Sequence, residues 1–156
     1  MRIETIGIDA VLKNFSKEIS KIRGNVQKGL TLGALRVKAE SVKRTPVEFG
    51  NLRASHYVIE GGGIISEGSS PTFRPGRPGV MERIAREHPS HLAEAVAESS
   101  SKSNAFVEIG CTAFYAIFVH ENLEARHVVG EAKFLENAIR QELNNWLGII
   151  ERFAKV

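Results

Sequence analysis

The stretch HENLEARH, residues 120–127, places histidine beside glutamate, as zinc hydrolases do. In the HExxH motif, two histidines one helical turn apart bind the metal, and the glutamate activates a water molecule. Here His120 and Glu121 match the start of that motif, but Glu124 stands where the second histidine is needed. Residues 114–121 also read as a strand, which lacks the helical geometry. We therefore predict no catalytic metal at this stretch.

A second histidine pair lies in EHPSHLAE, residues 87–94. His88 and His91 are three residues apart and would share one face of a helix, but Pro89 disturbs the helix that would align them. A pair of surface histidines explains this pattern better than a metal site.

The single cysteine, Cys111, could act as a nucleophile with His120 or His127 as its base. Nothing in the sequence marks an oxyanion site beside it, and a lone cysteine next to a strand is usually a small apolar residue. The glycines 61–63 are not followed by the helix and lysine of a phosphate-binding loop. We predict that the chain is not an enzyme and uses no cofactor.

The loop PTFRPGRPG, residues 71–79, combines Phe73 with the cations Arg74 and Arg77. These three residues are candidates for docking onto nucleic acid or onto an acidic protein surface. A solvated loop that is kept soluble by its charges explains the same composition.

Length and composition predict one globular domain over residues 1–156. Apolar residues make up 42% of the chain, and no stretch is long and apolar enough to predict a membrane helix. The start of the chain lacks an apolar signal core, and one cysteine cannot form an internal disulfide, so we expect a cytoplasm-like compartment.

Charge is unevenly distributed along the chain. Residues 1–78 hold thirteen Lys and Arg against seven Asp and Glu, whereas residues 79–156 hold eight against eleven. The asymmetry suggests that the two halves attract surfaces of opposite charge, and a head-to-tail contact between copies would use both. A solvated helix face is the alternative explanation.

The pattern of apolar residues predicts an α+β fold. A short strand over 2–8 is followed by a long helix to Arg44, which the glycines at 24, 29 and 33 should kink or split. Thr45-Pro46 ends this helix, Gly50 permits a turn, and residues 53–60 read as a strand.

The second half of the chain begins with a predicted insertion over 61–104, whose helices are interrupted at Pro89. Residues 104–110 and 114–121 are predicted to be strands that pair in antiparallel fashion. An amphipathic helix, starting near Phe134, closes the chain. The expected fold is a small antiparallel sheet packed by the long N-terminal helix and the C-terminal helix.

Three blocks of this pattern resemble a family of tailed-bacteriophage proteins, the minor tail components of lambdoid type, which are also called neck or tail-completion proteins. TPVEFGNLRAS is similar to the family's proline, Asp-Thr-Gly and Leu-Arg-x-Ser signature, except that Glu48-Phe49 replaces Asp-Thr. The matching residues of the first block are Pro46, Gly50, Leu52, Arg53 and Ser55; those of AFVEIGCTAFYAIFVHE are Val107, Ile109, Gly110, Tyr115, Ala116, Val119, His120 and Glu121; those of GEAKFLENAI are Gly130, Phe134, Leu135 and Ala138.

The resemblance implies a virion structural protein without catalysis, assembled in the cytoplasm of the bacterial host and located in the neck or tail. Copies would form a ring that joins the tail terminator or tube to the head connector, adaptor or stopper, and DNA would pass through without sequence recognition. The candidates for contacts between subunits are Pro46, Gly50, Leu52, Arg53, Ser55, Tyr115, His120, Glu121 and Phe134. Arg53 would either pair with a carboxylate or cap the turn by binding carbonyl groups. The ring's copy number, its neighbours in the neck and the type of tail stay open.

A different class of function also fits the sequence. The basic first helix could bind nucleic acid, in which case binding to duplex DNA would weaken steeply as salt rises.

Overall fold

The computed structural model describes residues 8–68, 77–102 and 104–155. The fold is α+β, as predicted, with five helices and one three-stranded sheet among these residues. In chain order the elements are α1 (Ile8–Arg44), α2 (Asn51–Ala54), β1 (His56–Glu60), β2 (Gly63–Ser66), α3 (Val80–Ser100), β3 (Val107–Cys111), α4 (Ala116–Glu121) and α5 (Phe134–Ala154).

The sheet has the strand order β2-β1-β3, and both pairs are antiparallel. Alternate residues of the central strand β1 face opposite layers, as strand geometry requires. His56 and Glu60 bond to Ser41 and Thr31 of α1, whereas Ile59 packs against Leu92 and Ala95 of α3. The sheet is therefore covered by α1 on one face and by α3 on the other.

Helix α5 runs antiparallel to α1 and packs along its C-terminal half. As the residue number rises along α1 it falls along α5: Gly29 contacts Ile150, Gly33 contacts Trp146 and Arg36 contacts Glu142. On α1 a row of buried residues recurs every fourth position, at 29, 33, 37 and 41, and Ala34 and Lys38 beside it are buried as well. Ridges of this spacing interlock on neighbouring helices.

The prediction that glycines would split the first helix was wrong, because α1 is one helix of 37 residues. A Cβ atom at Gly33 would lie 1.8 Å from Cδ1 of Trp146, and one at Gly29 would lie 2.9 Å from Cα of Ile150. These glycines therefore leave room for α5, and the packing of α5 offsets the roughly 1 kcal/mol that each costs in a helix.

Several predicted strands take other forms. Residues 51–54 are helical, so the strand predicted from 53 begins only at His56. Residues 116–121 form the helix α4 instead of a strand, and β3 pairs with β1. A short run that is apolar on every side does not separate a covered strand from a helix with one exposed face.

The predicted insertion over 61–104 contains a strand, β2, and one unbroken helix, α3. Gly61 and Gly62, at φ 54° and 83°, make the tight turn that connects β1 to β2. Pro89 lies inside α3 without ending it, because Ile84, Leu92 and Ala95 hold both halves in the core. The strand predicted over 2–8 lies outside the described residues except for Ile8, which begins α1.

No helix among the described residues is long and apolar enough to cross a membrane.

Candidate functional site

The turn after α1 is built as the sequence predicted, around Thr45, Pro46 and Gly50. α1 ends at Arg44, and the backbone N–H and the hydroxyl of Thr45 both donate to the carbonyl of Ser41, at 2.9 and 2.7 Å. Gly50 has φ 84°, in the left-handed region that favours glycine. The chain therefore reverses here and enters the short helix α2.

Arg53 caps the end of α1. Its Nε donates to the carbonyl of Thr45 at 3.1 Å, and its Nη2 donates to the carbonyl of Lys43 at 3.0 Å. These carbonyls belong to the last turn of the helix and its exit, where a cation is favoured. Of the two roles open to Arg53 in the sequence, the structure shows the binding of carbonyl groups.

The third sequence block packs directly on the first. Phe134 is 1% exposed and forms an apolar cluster with Leu52 and Ala113. The backbone N–H of Glu131 donates to the carbonyl of Arg44 at 2.8 Å. A Cβ at Gly130 would lie 2.5 Å from the backbone nitrogen of Pro46, so only glycine allows this approach.

The second block closes the same cluster from the other side. The backbone N–H of Thr112 donates to the carbonyl of Ser55 at 3.0 Å, which attaches the end of β3 to the end of α2. Tyr115, Ala116 and Val119 then pack against Phe134 and its neighbours. The three blocks, which are far apart in sequence, meet around one phenylalanine.

His120 and Glu121 hold the start of α5 in place. The carbonyl of His120 accepts a hydrogen bond from the N–H of Lys133 at 2.7 Å, and its ring meets Phe134 edge-on at 4.9 Å. Glu121 accepts from Lys133 Nζ and lies 2.7 Å from Nδ1 of His120, and these hydrogen bonds lower the pKa of Glu121. Both residues have a structural explanation in this chain.

His56, which was not predicted from the sequence, packs against the same cluster, with its ring centroid 5.7 Å from that of Phe134. Its ring is fully buried, with Nε2 3.1 Å from Oγ of Ser41 and Nδ1 3.1 Å from the carbonyl of Leu52. Burial lowers the pKa of His56 to about 4. Its place in a strand two residues before a buried valine was the available signal.

An apolar cleft of about 510 Å³ opens beside the cluster. The turn residues 46–52 form one wall, and Phe114, Tyr115, Val119, Val128 and Val129 line the others. Glu48 and Arg77 form an ion pair of 3.0 Å among the lining residues, and both are largely exposed. The remaining docking-loop candidates, Phe73 and Arg74, lie outside the described residues.

The lining of the cleft is mostly apolar. Of its 16 lining residues, only Glu48, Arg77, Arg126 and His127 have acidic or basic side chains. Burial raises the pKa of Cys111 to about 12, which keeps its thiol protonated and unreactive at neutral pH. Within the described ranges, no three His, Cys, Asp or Glu side chains are grouped as metal ligands. The cleft therefore favours an apolar occupant.

Comparisons with protein-family models, with curated proteins and with solved structures find no match to this chain.

Proposed function

We propose that this protein is a virion structural component of a tailed bacteriophage, of the neck or tail-completion type, that acts without catalysis. Copies form a ring at the head–tail junction, join the tail to the head connector and leave a passage for DNA. The observation that carries this proposal is the meeting of all three resembling blocks around Phe134. Residues that are separated in sequence but share one contact are what a common fold would require.

Two further features support an assembly role. The exposed surface includes large apolar side chains at both ends of the molecule: Phe15 and Ile19 on α1, Ile117 and Phe118 on α4. Exposed apolar groups of this size are typical of surfaces that bind other proteins. The basic first half and the acidic second half give neighbouring copies complementary charge in a head-to-tail arrangement.

The proposal is tested on the purified protein and on the phage that encodes it. We expect closed rings with an open centre in negative-stain images, formed by the protein alone or after a tail-tube protein is added. Inactivation of the gene should leave filled heads and complete tails unjoined. A protein that stays monomeric in both mixtures, together with normal joining in its absence, would contradict the proposal.

A second candidate function is the binding of duplex DNA, and one observation favours it. Lys13, Lys17 and Lys21 follow at four-residue steps along one exposed side of α1, a spacing that aligns them on a helix. If this row binds phosphates, duplex affinity should fall steeply between 50 and 200 mM salt, and glutamine at all three positions should abolish it. An absence of binding at 50 mM salt would remove this candidate.

A further inference from the structure

The N-terminal part of α1 extends beyond the rest of the fold. Residues 10–24, which we call the arm, are all exposed, in contrast to the half-buried and buried positions that follow. The arm nevertheless carries large apolar side chains at helical spacing, with Phe15 66% and Ile19 45% exposed. The full apolar row of the arm is Val11, Leu12, Phe15, Ile19 and Ile22.

The apolar row of the arm continues the side of α1 that α5 covers. At 100° per residue, Phe15, Ile19 and Ile22 fall in the same sector of the helix as Gly29 and Gly33, which contact α5. The sector that meets the sheet further along α1 is polar in the arm, with Lys13, Ser16 and Ser20. The arm is therefore suited to packing against one helix and not against a sheet.

Helix α5 also has an apolar row, of which only the first part is packed against the rest of the chain. Leu135 packs against the Phe134 cluster, and Ile139 follows it half-buried. The next two members at four-residue steps, Leu143 and Leu147, are 46% and 51% exposed. Within the described residues, Leu143 and Leu147 and the apolar row of the arm remain largely exposed.

We propose that the arm of one copy packs against Leu143 and Leu147 of the next copy. We take a second copy as the partner on the strength of the proposed function. The contact covers both apolar rows at once, whereas pairing of two arms would leave the leucines of α5 exposed. The arm and the leucines are separate surfaces of one copy, so the contact can repeat from copy to copy, as a ring requires. A reciprocal exchange of arms between two copies would instead stop at a dimer, which the crosslinking test distinguishes from a ladder.

Charge favours the same arrangement. The arm, residues 10–24, holds four basic residues and one acidic residue, and residues 134–154 hold two basic and three acidic residues. An arm on a neighbour's α5 therefore brings together segments of opposite net charge, whereas two paired arms would be strongly alike. The lysine row of the arm stays on the solvent side of the contact.

Disulfide crosslinking of purified full-length protein tests the contact. A double variant, Phe15→Cys with Leu147→Cys, should give a ladder of covalent oligomers under oxidising conditions, whose last band reports the number of copies. Each single variant alone should stay monomeric on the same gel, which also controls for Cys111. The matched control is Lys17→Cys with Leu147→Cys, since Lys17 is on the opposite side of the arm, and it should crosslink at least tenfold less.

The outcomes separate this contact from the proposed function. Crosslinking of Phe15→Cys to itself would show paired arms and overturn the inference, as would equal ladders from the Phe15 and Lys17 variants. Rings in micrographs without any ladder would also overturn it and leave the proposed function intact. If the ladder forms but heads and tails join normally without the protein, the contact is supported and the proposed function is overturned.

An independent variant avoids cysteine chemistry. Phe15→Glu with Ile19→Glu places charges in the exposed row, so the fold should be kept, with unchanged circular dichroism and an unchanged melting temperature of the body. Light scattering should then report monomers at concentrations where the parent protein associates. Association that equals that of the parent would contradict the inference.

Discussion

At the scale of single residues, the turn after α1 shows how one side chain can be structural although its pattern suggests a contact between subunits. Arg53 binds the carbonyl groups of Lys43 and Thr45 within its own chain. The sequence predicted that Arg53 lies at a turn, and it left open whether the side chain pairs with a carboxylate or binds carbonyl groups. The choice depends on how closely α2 folds back on the end of α1, which is fixed by packing around Phe134.

Replacement of Arg53 by alanine should destabilise the isolated chain by about 1 kcal/mol, because two hydrogen bonds to helix-terminal carbonyls are lost at a partly exposed site. Chemical denaturation at low protein concentration measures this. Arg152→Ala, an exposed arginine near the end of α5, is the control and should change stability by less than about 0.5 kcal/mol. An unchanged stability of the Arg53 variant would return the residue to the list of subunit contacts.

His56 should make stability depend on pH. Its pKa is lowered to about 4 in the fold, so between pH 6.5 and 4 the unfolded chain binds the proton and the folded chain does not. The free energy of unfolding is therefore unaffected by His56 above pH 6.5. Below that pH it falls progressively, by about 3 kcal/mol in total, because protonation favours the unfolded chain.

Denaturation at pH 7, 6 and 5 checks this, since the carboxylates with lowered pKa values, such as Glu131, lose their contribution only at lower pH. His56→Gln introduces an amide that can form hydrogen bonds on both sides and does not titrate, so the stability of this variant should hardly depend on pH over this range. If the stability of the parent protein is equally independent of pH, the lowered pKa of His56 is contradicted.

At the scale of secondary structure, the sequence predicted the elements that have strong periodicity. The end of α1 at Arg44, the strand β3 and the amphipathic helix α5 were confirmed. The errors arose where tertiary packing outweighs local preference: Trp146 and Ile150 stabilise α1 across its glycines, and core residues on both sides of Pro89 keep α3 whole. The apolar run 114–121 gave no period from which helix could be distinguished from strand.

The same limit applies to the candidate site. The three resembling blocks located the turn and Phe134, because glycine, proline and aromatic residues leave clear marks in a sequence. The cleft beside them depends on Val128 and Val129, which follow a polar loop and carry no periodic signal. Their placement is set by Glu131, whose N–H bonds to the end of α1, and only the folded chain reveals this.

The glycines of α1 provide a matched pair of tests. Gly33→Ala should destabilise the protein by about 2 kcal/mol, because its Cβ would overlap the ring of Trp146. Gly24→Ala, in the exposed arm with no atom within 4 Å of the new Cβ, should be neutral or raise stability by about 0.5–1 kcal/mol. Thermal and urea denaturation measure both. Equal effects at the two positions would contradict the packing of α5 on α1.

At the scale of the whole molecule, the fold combines a packed body with a helix that reaches past it. At 1.5 Å per residue, α1 is about 55 Å long, and residues 10–24 of it are all exposed. An isolated helix as short as residues 10–24 is marginal in water, so we expect the proposed contact with a second copy to stabilise the arm. The body, in contrast, is held by two layers on its sheet.

Hydrogen exchange should reveal this division. In the dilute protein, amides of residues 10–24 should exchange at least a hundredfold faster than those of 29–44, because the latter are held by α5 and the sheet. Raising the protein concentration should slow exchange in the arm and leave residues 29–44 unchanged. Exchange in the arm that is equally slow at all concentrations would show that the helix is stable without a partner.

The space that Gly33 leaves on α1 also restricts which substitutions the chain can accept during evolution. Trp146 fills the space that a side chain at position 33 would need, so the sizes of these two residues are coupled. Related chains with alanine or serine at position 33 should carry a smaller residue at position 146. For the same reason, replacing Trp146 by a smaller residue should restore part of the stability that Gly33→Ala removes.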